Sequence, residues 1–276
     1  MRFPFLLARM PGARLSPGPG AFLGLTLPFV FFAGCSGGPE PASGAVPEGS
    51  GLEVLRRTHR AEAFLEVREN DRAMEECFAG LDRQPGNESL LALLGEAALG
   101  SGRPEMATPR LAAAAQAEGA LPHVSVAYGR CLYESGKSEE GLSVLEEIAR
   151  KHPDSLEVHR ALGRIYFDLR RDEASAAAYE KVRQAQPQEH DTLLTLGALY
   201  ERLGRLESAE AAYVDAVGAH PGSAMAHRAL AELYASRNMD DQAAEHLSRY
   251  LEIYSDALDA EEIRKRIESL RQGESH

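Results

Sequence analysis

Tryptophan is absent from the 276-residue sequence, and aromatic residues make up only 7% of it. Ala, Leu, Glu and Arg are abundant instead, a composition that favours helices over the β-branched and aromatic strands of a sandwich or barrel. The three cysteines, Cys35, Cys77 and Cys131, are too far apart to form a CxxC metal or redox motif. These features predict an all-α protein without a cysteine-based metal or redox centre.

Basic residues are outnumbered, with 30 Lys and Arg against 42 Asp and Glu and a formal net charge of -12. Affinity for nucleic acid comes largely from Lys and Arg that neutralise phosphates, so this balance argues against a nucleic-acid partner. Catalytic motifs are missing as well: the sequence contains no GxSxG, GxxxxGK or GxGxxG, and no HExxH despite its nine histidines. We expect no enzymatic activity, no cofactor and no metal.

The longest apolar run is short and lies near the N-terminus. Residues 21–33 are apolar, follow a basic stretch and precede a cysteine, Cys35. A transmembrane helix needs about 20 apolar residues, and the flanks of this run are typical of a signal peptide. Residues 32–35 (FAGC) resemble the bacterial lipobox, although Phe32 stands where Leu is usual. The resemblance implies a lipoprotein signal peptide at 1–34 and a lipid anchor at Cys35.

A lipid anchor would place the protein in the bacterial cell envelope. By analogy with enterobacterial sorting, Ser36 rather than Asp after the cysteine favours the outer membrane over the inner. An uncleaved anchor, or an ordinary signal peptide that gives a secreted or periplasmic protein, is the alternative, and Met1 and Met10 are both possible starts. Residues 35–52 are rich in Gly, Pro, Ser and Glu, which predicts a flexible tether.

A period of 34 residues runs through the rest of the chain, as in Pro153, Pro187 and Pro221. In six successive units that begin at residue 54, one place is always small: Ala61, Gly95, Gly129, Gly163, Gly197 and Ala231. Three places later the units have Phe64, Ala98, Leu132, Tyr166, Tyr200 and Tyr234. Small and bulky residues thus share one stripe of a helix, and the second half of each unit repeats such a stripe. Each unit is therefore predicted to be a helical hairpin.

Between the two helices of a unit, residues suited to left-handed backbone recur at one place: Gly102, Gly136, Gly204 and Asn238. Arg68 and Arg170 stand at this place in the first and fourth units, so we expect those two turns to close differently. In the second unit Pro109 falls inside the expected second helix. That helix is predicted to start late, with Thr108 as its N-cap and Pro109 at its first position.

The pattern Leu-Gly-x-x-Tyr at 162–166 and 196–200, followed by Ala209, Tyr213 and Pro221, resembles the tetratricopeptide repeat. The resemblance covers about residues 54–255 and implies a right-handed α-solenoid of about six helix-turn-helix repeats. Its repeat positions in this chain include Gly95, Gly129, Gly163, Tyr166, Gly197, Tyr200 and Tyr234. We predict a solenoid at 53–255, a polar-backed capping helix at 256–272 and a disordered tail at 273–276.

The same resemblance implies a protein-binding scaffold in which the first helix of each unit lines a groove. The groove residues predicted from units three to five are Arg130, Tyr133, Arg160, Arg164, Phe167, Asp168 and Arg202. A stripe of guanidinium and aromatic groups is suited to bind a carboxylate or an acidic peptide. The alternative is that Arg130–Glu134 and Arg164–Asp168 are ordinary surface ion pairs, with Tyr133 and Phe167 packed between units.

The resulting hypothesis is a membrane-tethered adaptor that is a monomer in isolation and binds a protein or peptide in its groove. Its architecture is similar to pilus-assembly and secretin-piloting lipoproteins and also to lipoprotein adaptors for cell-wall hydrolases, and the sequence does not choose between them. The alternative function is a permanent subunit or assembly factor of an envelope complex of the pilus, secretin or secretion type. Cys77 and Cys131 are expected to be buried apolar residues, and His159 and His227, which occupy equivalent places, are expected to have structural roles.

Overall fold

The computed structural model describes residues 48–117 and 120–272, which form thirteen α-helices and one 3-10 turn and contain no strand. The helices are α1 (Glu48–Glu66), α2 (Asn70–Leu81), α3 (Glu88–Gly100), α4 (Thr108–Ala115), α5 (Pro122–Glu134), α6 (Ser138–Lys151), α7 (Leu156–Asp168), α8 (Asp172–Ala185), α9 (His190–Arg202), α10 (Leu206–Ala219), α11 (Ala224–Ser236), α12 (Asp240–Ile253) and α13 (Ala260–Gln272). The predicted signal peptide, Cys35 and the tail 273–276 lie outside the described residues. Because α1 begins at Glu48, it includes the last five residues of the predicted tether.

The first twelve helices form six hairpins in chain order. Extended contacts between α-helices join either consecutive helices or the first helices of adjacent hairpins, as in α1 with α3, α3 with α5, and α5 with α7. Among the residues that the structure describes, no helix makes extended contacts beyond the neighbouring hairpin. The predicted all-α solenoid of six repeats with a final capping helix is therefore confirmed.

In the third, fourth and fifth hairpins the small residue of the first helix allows the second helix to approach closely. A Cβ atom added at Gly163 would lie 2.8 Å from the ring of Tyr179, and one at Gly129 would lie 2.7 Å from Leu145. At Gly197 the same atom would collide with the ring of Tyr213. Each of these partners comes from the second helix of the same hairpin. The glycines are thus required by packing within the hairpin.

All six hairpins end their first helix in the same way, and our expectation for Arg68 and Arg170 was wrong. Both arginines have left-handed backbone, with φ of 59° and 60°, as do Gly102, Gly136 and Gly204. After α7 the amide of Arg171 donates to the carbonyl of Tyr166 and that of Arg170 to Phe167, the paired bonds of a Schellman motif. The packing of the hairpin therefore imposes this conformation even where a Cβ makes it unfavourable.

The second hairpin has the shortest second helix, α4, with 8 residues. As predicted, α4 starts late, after a 3-10 turn at Pro104–Met106. Thr108 does not cap it, however: its hydroxyl donates to the carbonyl of Pro104 at 3.0 Å, and Ala107 is the capping residue. Thr108 and Pro109 are the first two helical residues, where a proline needs no amide hydrogen bond.

The tyrosines three places after the small residue link successive hairpins. Tyr166 of α7 donates from its hydroxyl to Glu146 of α6 at 2.7 Å, and Tyr234 of α11 donates to Glu210 of α10 at 3.0 Å. Tyr200 makes the same bond to Glu180 of α8. Burial and the bond to Glu146 raise the pKa of Tyr166 to about 12, so the hydroxyl remains a donor at neutral pH.

The buried cysteines and histidines have structural roles. Cys77 and Cys131 are fully buried, and burial raises the pKa of each thiol to about 12, which leaves them unreactive as nucleophiles. The Nε2 atom of His159 lies 2.6 Å from the carbonyl oxygen of Pro153, and His227 makes the same contact with Pro221 at 3.3 Å. These histidines fix the loop that precedes their own helix.

At the C-terminus α13 covers the last hairpin. Ile263 and Ile267 pack in one cluster with Leu247 and Tyr250 of α12. The opposite side of α13 is charged and exposed, as predicted for a cap. Within residues 48–117 and 120–272, none of the helices combines the length and apolarity that a bilayer crossing requires.

Candidate binding groove

The residue that follows the small position in each first helix is at least partly exposed in all six hairpins. In chain order these residues are Glu62, Glu96, Arg130, Arg164, Ala198 and Glu232. Because α5 contacts α7 directly, Arg130 and Arg164 lie on neighbouring helices at equivalent positions. The row therefore has a basic centre with glutamates on both sides, a pattern that units three and four alone do not reveal.

Arg130, Arg160 and Arg164 line one cavity of about 320 Å³. The next hairpin closes its other side with Thr192 and Thr195 of α9. A cavity of this size is at the small end of the range for ligand sites and accepts one or two side chains. The α9 residues were not predicted, because their place opposite α7 depends on how adjacent hairpins stack.

The cavity also has acidic residues on its wall: Glu157, Glu189 and Asp191. Glu189 is occupied, since it accepts a hydrogen bond from Arg160 Nε at 3.0 Å and another from the Thr192 hydroxyl at 2.7 Å. Arg160 is thereby neutralised and also contacts Gln186. Asp191 is exposed to solvent and lies 3.1 Å from Nδ1 of His190.

Arg130 and Arg164 have neither an ion pair nor a hydrogen-bond partner in the part of the chain that the structure describes. The ion pairs Arg130–Glu134 and Arg164–Asp168, which the alternative interpretation expected, do not form. Their guanidinium groups can therefore donate to a ligand without first giving up an internal partner. A guanidinium binds a carboxylate through two parallel N–H bonds, and two of them in one cavity favour an acidic group.

Three other predicted groove residues are used within the protein, as the alternative interpretation expected for the aromatics. The guanidinium carbon of Arg202 lies 4.3 Å from the centre of the Phe167 ring. Nε and Nη2 of the same guanidinium donate to the two carboxylate oxygens of Asp172 in α8, with 3.0 Å between Nε and Oδ2. Tyr133 is half-buried against the cluster around Leu145 and Leu162, and burial raises its pKa. Phe167, Arg202 and Tyr133 thus belong mainly to the packing between hairpins.

A serine, a histidine and an aspartate also come together, at the N-terminus of α11. Ser223 Oγ lies 2.7 Å from His190 Nε2, and His190 Nδ1 lies 3.1 Å from Asp191. Ser223 is nevertheless the N-cap of α11, since its hydroxyl accepts from the amide of Ala226 at 3.1 Å, and it is only 6% exposed. The arrangement links two adjacent hairpins and offers little access to a substrate.

Fold and groove together define the class: a solenoid of helical hairpins whose first helices present a row of side chains to a partner. Residues 126–190 and 194–257 match the family described as tetratricopeptide repeat. The predicted resemblance is confirmed for these segments, which contain most of the third to sixth hairpins. The first two hairpins lie outside the match, and their first helices end in the same left-handed turn, although the second hairpin has a 3-10 turn before its short second helix. No curated protein matches the sequence.

Solved structures with the same fold come from several proteins. PilF of Pseudomonas aeruginosa is 17% identical, with a TM-score of 0.62 over 79% of this chain and 99% of that chain. MamA from Desulfovibrio magneticus RS-1 is 22% identical, with a TM-score of 0.55 over 61% and 96%. A chain of the APC/C hetero-tetramer Cut9-Hcn1 is 16% identical, with a TM-score of 0.62 over 78% of this chain and 43% of that chain. At these identities the likeness shows the fold alone, and the repeats support a protein-protein interaction scaffold.

Proposed function

We propose that the protein is a lipid-anchored adaptor of the bacterial cell envelope that captures an acidic segment of a partner protein in its groove. Arg130 and Arg164 are the residues that bind the partner's carboxylates, and Thr192 and Thr195 form the facing wall. The glutamates on both sides of this centre favour a segment whose acidic residues are flanked by basic ones. Asp168, which is exposed on α7 close to Arg164, belongs to the same surface.

One observation carries the proposal: two arginines at equivalent positions on adjacent helices line one cavity and make no ion pair or hydrogen bond among the described residues. Arg160, on the wall of the same cavity, is instead paired with Glu189. Arg150 and Arg266, which also lack an ion pair among the described residues, lie outside the cavity. Leaving two like charges close together has a cost that a bound anion removes. The arrangement is therefore suited to binding.

Membrane attachment is the second part of the proposal and rests on the lipobox resemblance of residues 32–35. Lipidation of Cys35 would keep the groove at the membrane surface, and the outer membrane is the favoured location. Replacing Cys35 by Ser should move the protein from the membrane fraction to the soluble envelope fraction. Unchanged retention in the membrane pellet would refute the lipid anchor but would leave the groove unaffected.

The groove is tested by crosslinking in intact envelopes. A photoreactive amino acid at Thr195, inside the cavity, should crosslink one partner, which mass spectrometry then identifies by its linked segment. The double variant Arg130→Ala with Arg164→Ala should abolish this crosslink, because both guanidinium donors are lost. Phe167 is left intact in this design, since its removal would also disturb the contact with Arg202.

The matched control replaces two arginines outside the cavity. Arg150 of α6 and Arg266 of α13 are exposed and likewise make no hydrogen bond or ion pair among the described residues, so Arg150→Ala with Arg266→Ala makes the same change in charge. The control should keep the crosslink, and both variants should keep wild-type helicity. Equal crosslinking in the two double variants would contradict the proposed groove.

The alternative function, a permanent subunit of an envelope complex, has one observation in its favour. Ile253, Tyr254 and Leu258 are exposed apolar residues at the end of α12 and in the segment that leads to α13. Such residues are typical of a constitutive interface when they form one large patch. Replacing all three by Ser should leave an adaptor fully able to give the Thr195 crosslink, whereas a subunit would no longer co-purify with its complex.

A further inference from the structure

In each later hairpin one face packs against the preceding hairpin. The first hairpin has no preceding hairpin among the described residues, and the corresponding face, its outward side, has different residues. In later hairpins the corresponding residues pack against the preceding hairpin: Leu90 of α3 contacts Gly80 of α2, and Cys131 Sγ of α5 lies 4.0 Å from the carbonyl of Gly95 in α3. The equivalent places in α1 are Arg56 and Ala63, and both are exposed. The first hairpin is thus adapted to end the stack, and its outward side is open to another kind of contact.

Four exposed residues form one stripe on this side of α1. Leu52 is three and four residues before Leu55 and Arg56, and His59 is four and three residues after them, which places all four on one side of the helix. Leu52 and Leu55 are 62% and 51% exposed, a high fraction for two leucines on one face. We call these four residues the α1 end face.

The basic group of the α1 end face is not neutralised within the protein. Arg57 and Arg60 pair with Glu76, at 2.9 Å and 3.2 Å, and Arg57 also pairs with Glu53. Arg56, by contrast, has no ion pair or hydrogen bond among the described residues. The acidic Glu62 and Glu66 lie at the other end of α1, about 15 Å or more from Leu52 along the helix axis.

We propose that the α1 end face docks on the anionic lipid surface to which Cys35 is anchored, with Leu52 and Leu55 at the headgroup boundary and Arg56 on a lipid phosphate. The inference rests on the lipid anchor of the proposed function and goes beyond it, because it fixes which side of the solenoid meets the membrane. Apolar residues beside a basic one are the composition of helices that lie in the membrane interface.

The short segment between Cys35 and α1 strengthens the binding of the α1 end face to the lipid surface, even though this face is small. Thirteen residue steps separate Cys35 from the start of α1 at Glu48, and a chain of this length spans no more than about 47 Å, to which the helical steps up to Leu52 add about 6 Å. The α1 end face is therefore held close to the lipid surface, so that its binding is effectively intramolecular. Two exposed leucines and one arginine, too weak to bind a membrane from solution, then suffice to orient an anchored protein.

The test places a probe at the α1 end face of the membrane-anchored protein, reconstituted into vesicles of phosphatidylethanolamine and phosphatidylglycerol. Leu52→Cys carries an environment-sensitive fluorophore, and a nitroxide on the lipid headgroup serves as quencher. Cys77 and Cys131 give no background, because both are fully buried and have raised thiol pKa values. The matched control is Leu258→Cys, another exposed leucine, which lies beyond the last hairpin.

We expect the probe at position 52 to be quenched several-fold more than the probe at 258. Adding Arg56→Glu, or omitting phosphatidylglycerol, should reduce quenching at 52 to the level of the control, since the phosphate contact and the anionic charge are lost. Equal quenching at the two positions in protein that sediments with the vesicles would overturn the docking proposal and leave the anchor intact. If quenching at position 52 stayed the same after Arg56→Glu and without phosphatidylglycerol, the assignment to anionic lipid would be overturned.

Failure of the anchor gives a different result. In that case Cys35 of the wild-type protein would react with the fluorophore because no lipid blocks its thiol, and a secreted or periplasmic protein would also fail to sediment with vesicles. Both the anchor and the docking proposal would then fall. The Thr195 crosslink would be unaffected, so the groove would still stand.

Discussion

The second and fourth hairpins follow the same repeat but differ in their second helices. In the fourth hairpin α8 has 14 residues, and the Tyr179 ring packs directly over Gly163. In the second hairpin α4 has 8 residues, and the first helix α3 packs more extensively against α5 than against α4. Gly95 of α3 accordingly meets Ala127 of α5 more closely than it meets Leu111 of α4.

The difference shows that two kinds of contact hold successive hairpins together. Every second helix packs against the first helix of the next hairpin, and the short α4 still does so with α5. In the first four hairpins the first helices also contact each other directly, as α3 and α5 do on either side of α4. Direct contact between first helices therefore compensates where a second helix is short.

The largest expected effect comes from moving the proline of the second hairpin into the fourth. Ala177 occupies in α8 the repeat place that Pro109 occupies in unit two. Ala177→Pro should destabilise the protein by about 3 kcal/mol or more, because it removes an internal amide bond of a long helix and clashes with the preceding turn. The midpoint of urea unfolding, followed by circular dichroism, measures this loss.

The reverse change provides the control. Pro109→Ala should alter stability by no more than about 0.5 kcal/mol, since the first turn of α4 needs no amide donor at that position. If the two substitutions had equal effects, the late start of α4 would be contradicted.

A smaller loss of stability is expected where Gly163 packs against the Tyr179 ring in the fourth hairpin. Gly163→Leu should cost on the order of 1–3 kcal/mol, because the added side chain must displace the Tyr179 ring. Gly218 of α10 is the matched control, as a Cβ there meets nothing within 4 Å. Gly218→Ala should stabilise by about 0.5–1 kcal/mol through helix propensity. An unchanged thermal midpoint for Gly163→Leu would argue against the packing described.

The smallest effects concern the left-handed turn residues of the same two hairpins. Gly102→Ala in the second should destabilise by about 1 kcal/mol, because φ is 70° and a Cβ is unfavourable there. Arg170→Gly in the fourth should stabilise by about 0.5 kcal/mol, since relief of the same strain exceeds the greater chain entropy of glycine. Opposite signs in urea unfolding would support a shared turn geometry, and equal signs would contradict it.

The hairpins and their phase could be predicted from the sequence, because a small residue every 34 positions marks a contact that each unit needs. The turn at Arg170 could not be predicted, because an arginine disfavours the left-handed conformation that the packed helices impose there. The Tyr166–Glu146 bond was also not predicted, because it joins residues 20 apart whose distance depends on how two hairpins stack.

The candidate groove was predicted in part. Arg130, Arg160 and Arg164 line one cavity, as expected from their matching positions. Sequence alone did not separate them from Arg202, whose bond to Asp172 and contact with Phe167 appear only once α8 and α9 are placed side by side. Whether an arginine is available to a ligand depends on tertiary neighbours, and a repeat pattern does not specify these.

A charge exchange with the partner tests the central claim most directly. Once the segment crosslinked at Thr195 is known, its acidic residues are replaced by Lys, and Arg130 and Arg164 are replaced by Glu. Each change alone should abolish capture of the partner, and the two together should restore it, as measured by the yield of the Thr195 crosslink. Capture that survives Arg130→Glu with Arg164→Glu, or that the exchanged partner fails to restore, would contradict carboxylate recognition by these two arginines.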